Sequence, residues 1–216
     1  MSRTPSPPNL HTRERLLSLL LSRVLKSELP ASTYQAVGTL RKGFAALRKQ
    51  PDAAAHAALD ALIDGQSPAD LSSIIRAFNL YFSLLNIAEE TDQLNRRRQR
   101  VAQSGHMWTG SFHDTLLDLK QEGIGIDELH TLLDKLCYLP VLTAHPSEAR
   151  RRTIKGALRN IFVTMEHLDD PRTRGMYRDE AVALLENQIR ALWKTDEVRS
   201  FKLDERDEID SGLSYF

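Results

Sequence analysis

Between Val141 and Arg152 the chain reads VLTAHPSEARRR, and this stretch concentrates residue types that could do chemistry. His145 sits between Ala144 and Pro146, and three arginines, Arg150, Arg151 and Arg152, follow within seven residues. An imidazole with an ordinary pKa of about 6.5 is mostly neutral near pH 7 and can accept a proton there. A guanidinium that faces inward needs an anionic partner, because burying an unpaired charge is costly. Read together, the spacing suggests either a proton acceptor beside an anion-binding arginine or a histidine and a salt-bridged arginine in a core.

The flanking residues say how the stretch is held. CYLPVLTA, running into the histidine, is short, apolar and enriched in Tyr, Val and Thr, which predicts a strand around 138–144. A helix is expected to begin near Ser147. His145 then falls at the carboxyl end of a strand, where α/β folds usually keep their chemistry. The free N–H groups and dipole of the following helix favour an anion in the same space. Ile154, Leu158, Ile161, Met165 and Leu168 recur at helical spacing and define its buried stripe. Counting back by three and four places Arg151 and Ser147 on that stripe, with Arg152 beside Lys155 and Arg159 on the solvated face and Arg150 at the flank. Periodicity does not choose between an internal carboxylate and a ligand as the partner of Arg151.

Helices dominate the remaining chain. TRERLLSLLLSRVLKSEL ends at Pro30; STYQAVGTLRKGFAALRKQ follows with Ser32 as N-cap and stops at Pro51; DAAAHAALDALID ends at Gly65. Ser67 caps a longer helix with Pro68 in its first position, running to about Val101. In it Leu71, Ile74, Ile75, Phe78, Phe82 and Leu85 form one apolar stripe and Leu80, Leu84 and Ile87 a second face, which predicts burial on two sides. Two further helices, FHDTLLDLKQEG and IDELHTLLDKL, the second capped by Asp127, lead to the strand. GMYRDEAVALLENQIRALWKT forms the last helix. One strand cannot make a sheet, because its backbone groups need partners. A mainly α fold follows, with one strand around 138–144 whose partners must come from elsewhere. Its expected layout is a tail at 1–9, a helical region at 10–137, and a strand, the histidine motif and helices at 138–216.

Composition removes several classes. Lys plus Arg and Asp plus Glu each number 29 in 216 residues, so a nucleic-acid binder relying on bulk charge is not expected. The single cysteine, Cys137, excludes an internal disulfide and fits a reducing compartment. MSRTPSPPN lacks the apolar core of a signal peptide, and no run approaches the ~20 consecutive apolar residues of a membrane span. A cytoplasmic protein without membrane or nucleic-acid partners is the expectation. NRRRQR at 95–100 reads as a basic last helical turn, DERDE at 204–208 as a solvated helix start, and Trp108 and Trp193 as packing residues. His56, His106, His113, His130 and His167 show no metal-ligand pattern.

Three stretches in order carry a resemblance. VLTAHPSEARRRT resembles the active-site histidine signature TAHPTE or TAHPTQ of the phosphoenolpyruvate carboxylase family, which two residues and a basic pair follow. IIRAFNLYFSLLNIAEETDQLNRRR and LWKTDEVR are similar to two further stretches of that family. The likeness covers roughly residues 10–216, and the chain looks like the amino-terminal fragment of a bacterial-type enzyme several times longer. In fold, the resemblance implies the helical amino-terminal part of an α/β-barrel enzyme, with about one barrel strand around 138–144 and the start of the catalytic barrel at 138–216. The resemblance implies conversion of phosphoenolpyruvate and bicarbonate to oxaloacetate and phosphate, with magnesium as cofactor and a homotetrameric parent. It implies that His145 accepts the carboxyphosphate proton and positions carbon dioxide. It implies further that Arg151, Arg152 and Arg199 match positions that some members, notably plant enzymes, use for an activating sugar phosphate. Arg151 and Arg152 point to different faces by periodicity, so the two readings agree in part. Ser147 replaces the usual threonine and keeps a capping hydroxyl. The magnesium carboxylates, the groups that grip phosphoenolpyruvate, the mobile loop and the feedback-inhibitor site are expected beyond Phe216, so the fragment alone is expected to be inactive. Apart from the resemblance, a self-contained helical protein that binds a phosphorylated metabolite or a partner also fits the residues.

Overall fold

The computed structural model describes residues 9–105, 107–137, 139, 152–196 and 206. Eight helices follow in order among them: α1 (Leu10–Glu28), α2 (Ala31–Leu47), α3 (Ala53–Asp64), α4 (Pro68–Ser104), α5 (Phe112–Gln121), α6 (Ile126–Lys135), α7 (Arg152–Asp169) and α8 (Met176–Lys194). No strand occurs among the described residues, and the fold is mainly α. The strand expected around 138–144 falls, but for Leu139, outside the described residues, as do residues 1–8 of the expected tail.

Helix ends follow local chemistry. Asn9 accepts the Thr12 N–H at 2.9 Å and starts α1 two residues earlier than expected, and Asp52 accepts from Ala54 and Ala55 to start α3. The Ser67 hydroxyl accepts the Asp70 N–H at 3.1 Å, and Pro68 opens α4 as expected. Two caps differ from the sequence reading. The residue before α2 is Pro30, whose carbonyl accepts from Tyr34, so Ser32 lies inside the helix. The residue before α6 is Gly125, whose N–H donates to Glu128 at 3.1 Å, so Asp127 is a first-turn acid, not the cap. The early arginines of NRRRQR are not a last turn either, because α4 continues to Ser104.

Two compact units divide the chain. The first comprises residues 1–91 and 150–200, the second 92–149 and 201–216. In the first unit, α1 supplies Leu17, Leu20, Leu21, Val24 and Leu25 to the main core. There they meet Leu80, Leu84, Ile87 and Ala88 of α4, Ile161, Met165 and Leu168 of α7, and Leu185, Ile189 and Trp193 of α8. A smaller cluster joins Ala36 and Leu40 of α2, Leu59 of α3 and Ile74 of α4. Gly43 lets α2 and α3 approach, since a Cβ there would lie 2.7 Å from Leu59 Cδ2. By length and composition Pro68–Gln103 would pass as a membrane span, although no apolar run of that length is present in the sequence. Its buried face packs in the protein core.

Burial of α4 on two sides is corrected by the packing. Leu80, Leu84 and Ile87 are buried as expected, whereas Ile75 and Phe82 are 59% and 57% exposed. The reason is that α1, α7 and α8 cover one face, while the small α2/α3 cluster takes up Ile74 and part of Phe78. In the second unit, Ser111 caps α5 by accepting from Asp114, and Asp114 accepts from Gly110. Leu132, Leu133 and Leu136 are exposed, as is Cys137.

Candidate functional site

His145, Arg151 and Arg199 lie outside the described residues, and Arg152 enters through its backbone, as the first residue of α7. What the structure describes is the frame on which these positions are carried. The stripe expected on α7 is the observed one. Ile154, Ile161, Met165 and Leu168 are all at most 5% exposed and Leu158 packs against the same core, while Arg159 is exposed.

α7 and α8 form a helical hairpin through the turn 170–175. Gln188 Nε2 donates to Thr164 Oγ1 at 3.2 Å, and Arg178 Nη1 donates to the Leu168 carbonyl at 3.3 Å. Pairs 164 with 188 and 168 with 178 set an antiparallel register. Arg152, where α7 begins, and Asp196, just past α8, therefore belong to the same end of the hairpin. The turn is fixed by Asp170, which accepts from the backbone and side chain of Arg172. Those hydrogen bonds hold the Asp170 carboxyl down at about 2. Gly175 closes the turn at φ +54°, ψ −131°, a conformation that L residues with a Cβ rarely adopt.

Two of the three signature stretches meet at that end. Arg76, the arginine of IIRAF on α4, donates from Nη2 to the Thr195 carbonyl at 2.6 Å and to Asp196 Oδ1 at 3.2 Å. Its guanidinium carbon lies 5.7 Å from the centroid of the Trp193 ring. Trp193, Thr195 and Asp196 all belong to LWKTDEVR. A cation against the last carbonyls of a helix is favoured by their partial negative charge. From α1, Glu28 pairs with Lys194 at 3.2 Å and with Arg190 at 3.6 Å. The carboxyl end of α8 is thus clamped from α4 and α1 just before the segment that carries Arg199.

Sequence reasoning used IIRAF as a signature and gave Arg76 no role. The available signal was one charge inside the apolar run IIRAFNLYF, on a helix expected to be buried. It also missed the ion pair that ties α1 to α7: Arg13 Nε and Nη2 donate to Asp169 Oδ2 at 3.1 and 2.7 Å, with the two side chains 1% and 7% exposed. Arg13 stands four residues before Leu17 on the buried stripe of α1, and Asp169 follows Leu168 on that of α7. Trp193 packs as expected, whereas Trp108 is 39% exposed beneath Arg97, 5.3 Å from its ring centroid. Arg96 pairs with Asp92 at 2.6 Å, and His56 and His130 meet Asp60 and Asp134 one turn along their own helices. No group of three or more His, Cys, Asp or Glu that could hold a metal occurs among the described residues.

This geometry defines a mainly α scaffold that converges two signature stretches on the end of a hairpin from which a histidine- and arginine-bearing segment departs. A profile of the family described as phosphoenolpyruvate carboxylase matches residues 10–216. Phosphoenolpyruvate carboxylase of Ralstonia nicotianae is 34% identical over 202 residues, which are 94% of this chain and 20% of that protein. The Azorhizobium caulinodans protein of the same name is 31% identical over 205 residues, 94% of this chain and 22% of that protein. That of Roseiflexus castenholzii is 33% identical over 228 residues, 100% of this chain and 24% of that protein. The chain belongs to the phosphoenolpyruvate carboxylase family, a family of enzymes, and spans about a fifth of the length of these curated relatives.

Proposed function

We propose that the chain is the amino-terminal part of a phosphoenolpyruvate carboxylase, a carbon–carbon lyase that forms oxaloacetate and phosphate from phosphoenolpyruvate and bicarbonate. The observation that carries this reading is the family match over residues 10–216, with His145 inside it. In this chemistry a bicarbonate oxygen attacks the phosphorus of phosphoenolpyruvate, giving carboxyphosphate and the enolate of pyruvate. His145 accepts the carboxyphosphate proton, and carbon dioxide and phosphate separate. The enolate carbon then attacks carbon dioxide. A neutral imidazole is suited to that single proton transfer near pH 7. Magnesium, when bound, supplies positive charge to the phosphate and enolate oxygens. Its ligands are assigned to the part of the parent outside these 216 residues.

Arg151, Arg152 and Arg199 form the proposed anion or effector set. The support for grouping them is the hairpin register, which puts Arg152 and Asp196 at one end, with Arg76 holding the segment before Arg199. Residues 138–216 are proposed as the start of the catalytic barrel, after a tail at 1–9 and a helical region at 10–137. A homotetrameric, cytoplasmic parent acting on small metabolites completes the reading. Of the catalytic set, these residues hold His145, so the chain by itself is inactive.

The test is a coupled oxaloacetate assay on the full-length protein with His145→Asn. General-base catalysis contributes about 10²–10⁴-fold, so a loss of kcat in that range with the fold intact is expected. Retained turnover removes His145 from its role. A separate binding function would show instead as a cooperative, monomeric 216-residue chain that inorganic phosphate stabilises.

A further inference from the structure

α1, α2 and α4 line an open groove of about 520 Å³ within the first unit. That volume is in the range of small-molecule sites, about 300–1,000 Å³. Its floor is the core itself, at Leu21, Leu25 and Ala77, and its aromatic wall is Phe78 and Tyr81. The Ser22 and Tyr34 hydroxyls, 2.8 Å apart, add a polar edge.

The charge of the groove has one sign. Arg41 and Lys42 line it, and no carboxylate does. Arg13, Arg23, Arg76, Arg96, Arg172 and Arg190 all meet an Asp or Glu. The side chains of Arg41 and Lys42 have no ion pair or hydrogen bond among the described residues, as is also true of the exposed Arg15 and Arg48, but unlike those two they line a groove. The Arg41 guanidinium carbon instead lies 5.4 Å from the centroid of the Tyr81 ring. A guanidinium braced on an aromatic face keeps its planar fork of donors for a carboxylate or phosphate.

Gly38 is the independent observation. A glycine inside a helix costs about 1 kcal/mol relative to alanine. Gly43 on the same helix has a packing reason, its contact with Leu59. Gly38 has none, since a Cβ there would meet nothing within 4 Å, and it lines the groove. The residue leaves space on the ligand side of α2 that the packing of the helices does not require.

We propose that this groove binds a small organic anion, a carboxylate or phosphate ester carried on a flat apolar body, with the acid group on Arg41 and Lys42 and the body against Phe78 and Tyr81. This goes beyond the carboxylase reading and does not depend on it.

The experiment titrates the full-length protein with the fluorescent anion 8-anilinonaphthalene-1-sulfonate. Saturable binding of one equivalent is expected, displaced by phenyl phosphate and not by neutral benzyl alcohol. Gly38→Leu fills the groove, and Arg41→Gln with Lys42→Gln removes its charge. Each change should weaken binding at least tenfold, about 1.4 kcal/mol, with the melting temperature held within a few degrees. The glutamine variant replaces no buried apolar side chain and keeps the test decisive if Gly38→Leu folds poorly. His145→Asn should bind the probe like the wild type, which separates this site from the carboxylase assignment. Unsaturable binding, equal affinity in the glutamine variant, or equal displacement by benzyl alcohol overturns the proposal.

Discussion

Replacing Arg13 by methionine removes a buried cation and keeps an unbranched apolar stem, two bonds shorter than arginine. Its partner Asp169 is 7% exposed, and the adjoining space of about 20 Å³ is bordered by Thr12, Leu16, Met165, Leu168 and Arg178. A water needs roughly 10–15 Å³ of such space, so about one can enter to replace the guanidinium. Removing one partner of a buried pair costs about 3–5 kcal/mol, against about 0–1 for an exposed pair. With an m value of about 2 kcal/mol/M, the urea midpoint of the first unit should fall by roughly 1.5–2.5 M. Asp169→Leu combined with Arg13→Met should recover most of that loss, because an apolar pair of similar volume is often neutral or stabilising. Urea unfolding followed by circular dichroism and by hydrogen exchange of α1 and α7 reads both effects. A single-mutant cost under about 1 kcal/mol, or a double mutant as unstable as the single, would refute the assignment of this pair as a buried clamp.

The two glycines of α2 should respond with opposite sign: Gly43→Ala forces a Cβ to 2.7 Å from Leu59 and should cost about 1–3 kcal/mol, whereas Gly38→Ala should gain about 0.4–1 kcal/mol in thermal unfolding. Arg76→Ala removes the donor to Thr195 and should cost about 1–2 kcal/mol, the low end for a charged hydrogen bond because Asp196 is mostly exposed. Hydrogen exchange should then speed up at residues 192–196 and stay unchanged at Leu185; uniform change along α8 would argue against a local clamp. Asp170, held at about 2 by Arg172, has a folded pKa below its ordinary 3.8. Its contribution to stability is present above about pH 4 and is lost as pH falls through about 2. A carboxyl NMR titration should show that midpoint, and Arg172→Ala should return it toward 3.8; an unmoved midpoint removes Arg172 as the cause.

The sequence by itself determined the helices and their buried faces where one local rule dominated. The α7 stripe from Ile154 to Leu168, the Ser67–Pro68 start of α4 and the Gly65 stop of α3 depend on residues within a turn or two, so periodicity and capping chemistry revealed them. The family was legible in the same way, through short motifs whose residues are contiguous. Tertiary structure alone decided what depends on distant neighbours. Ile75 and Phe82 have the same apolar pattern as Ile74 and Phe78, and their exposure follows from which helices arrive at which face of α4. Arg13 and Asp169 are 156 residues apart, Arg76 and Thr195 are 119 apart, and no local spacing announces either pairing. A charge set in an apolar stripe shows that a partner must exist, because leaving it unpaired in a core is too costly. Which residue supplies that partner is set by how the helices pack.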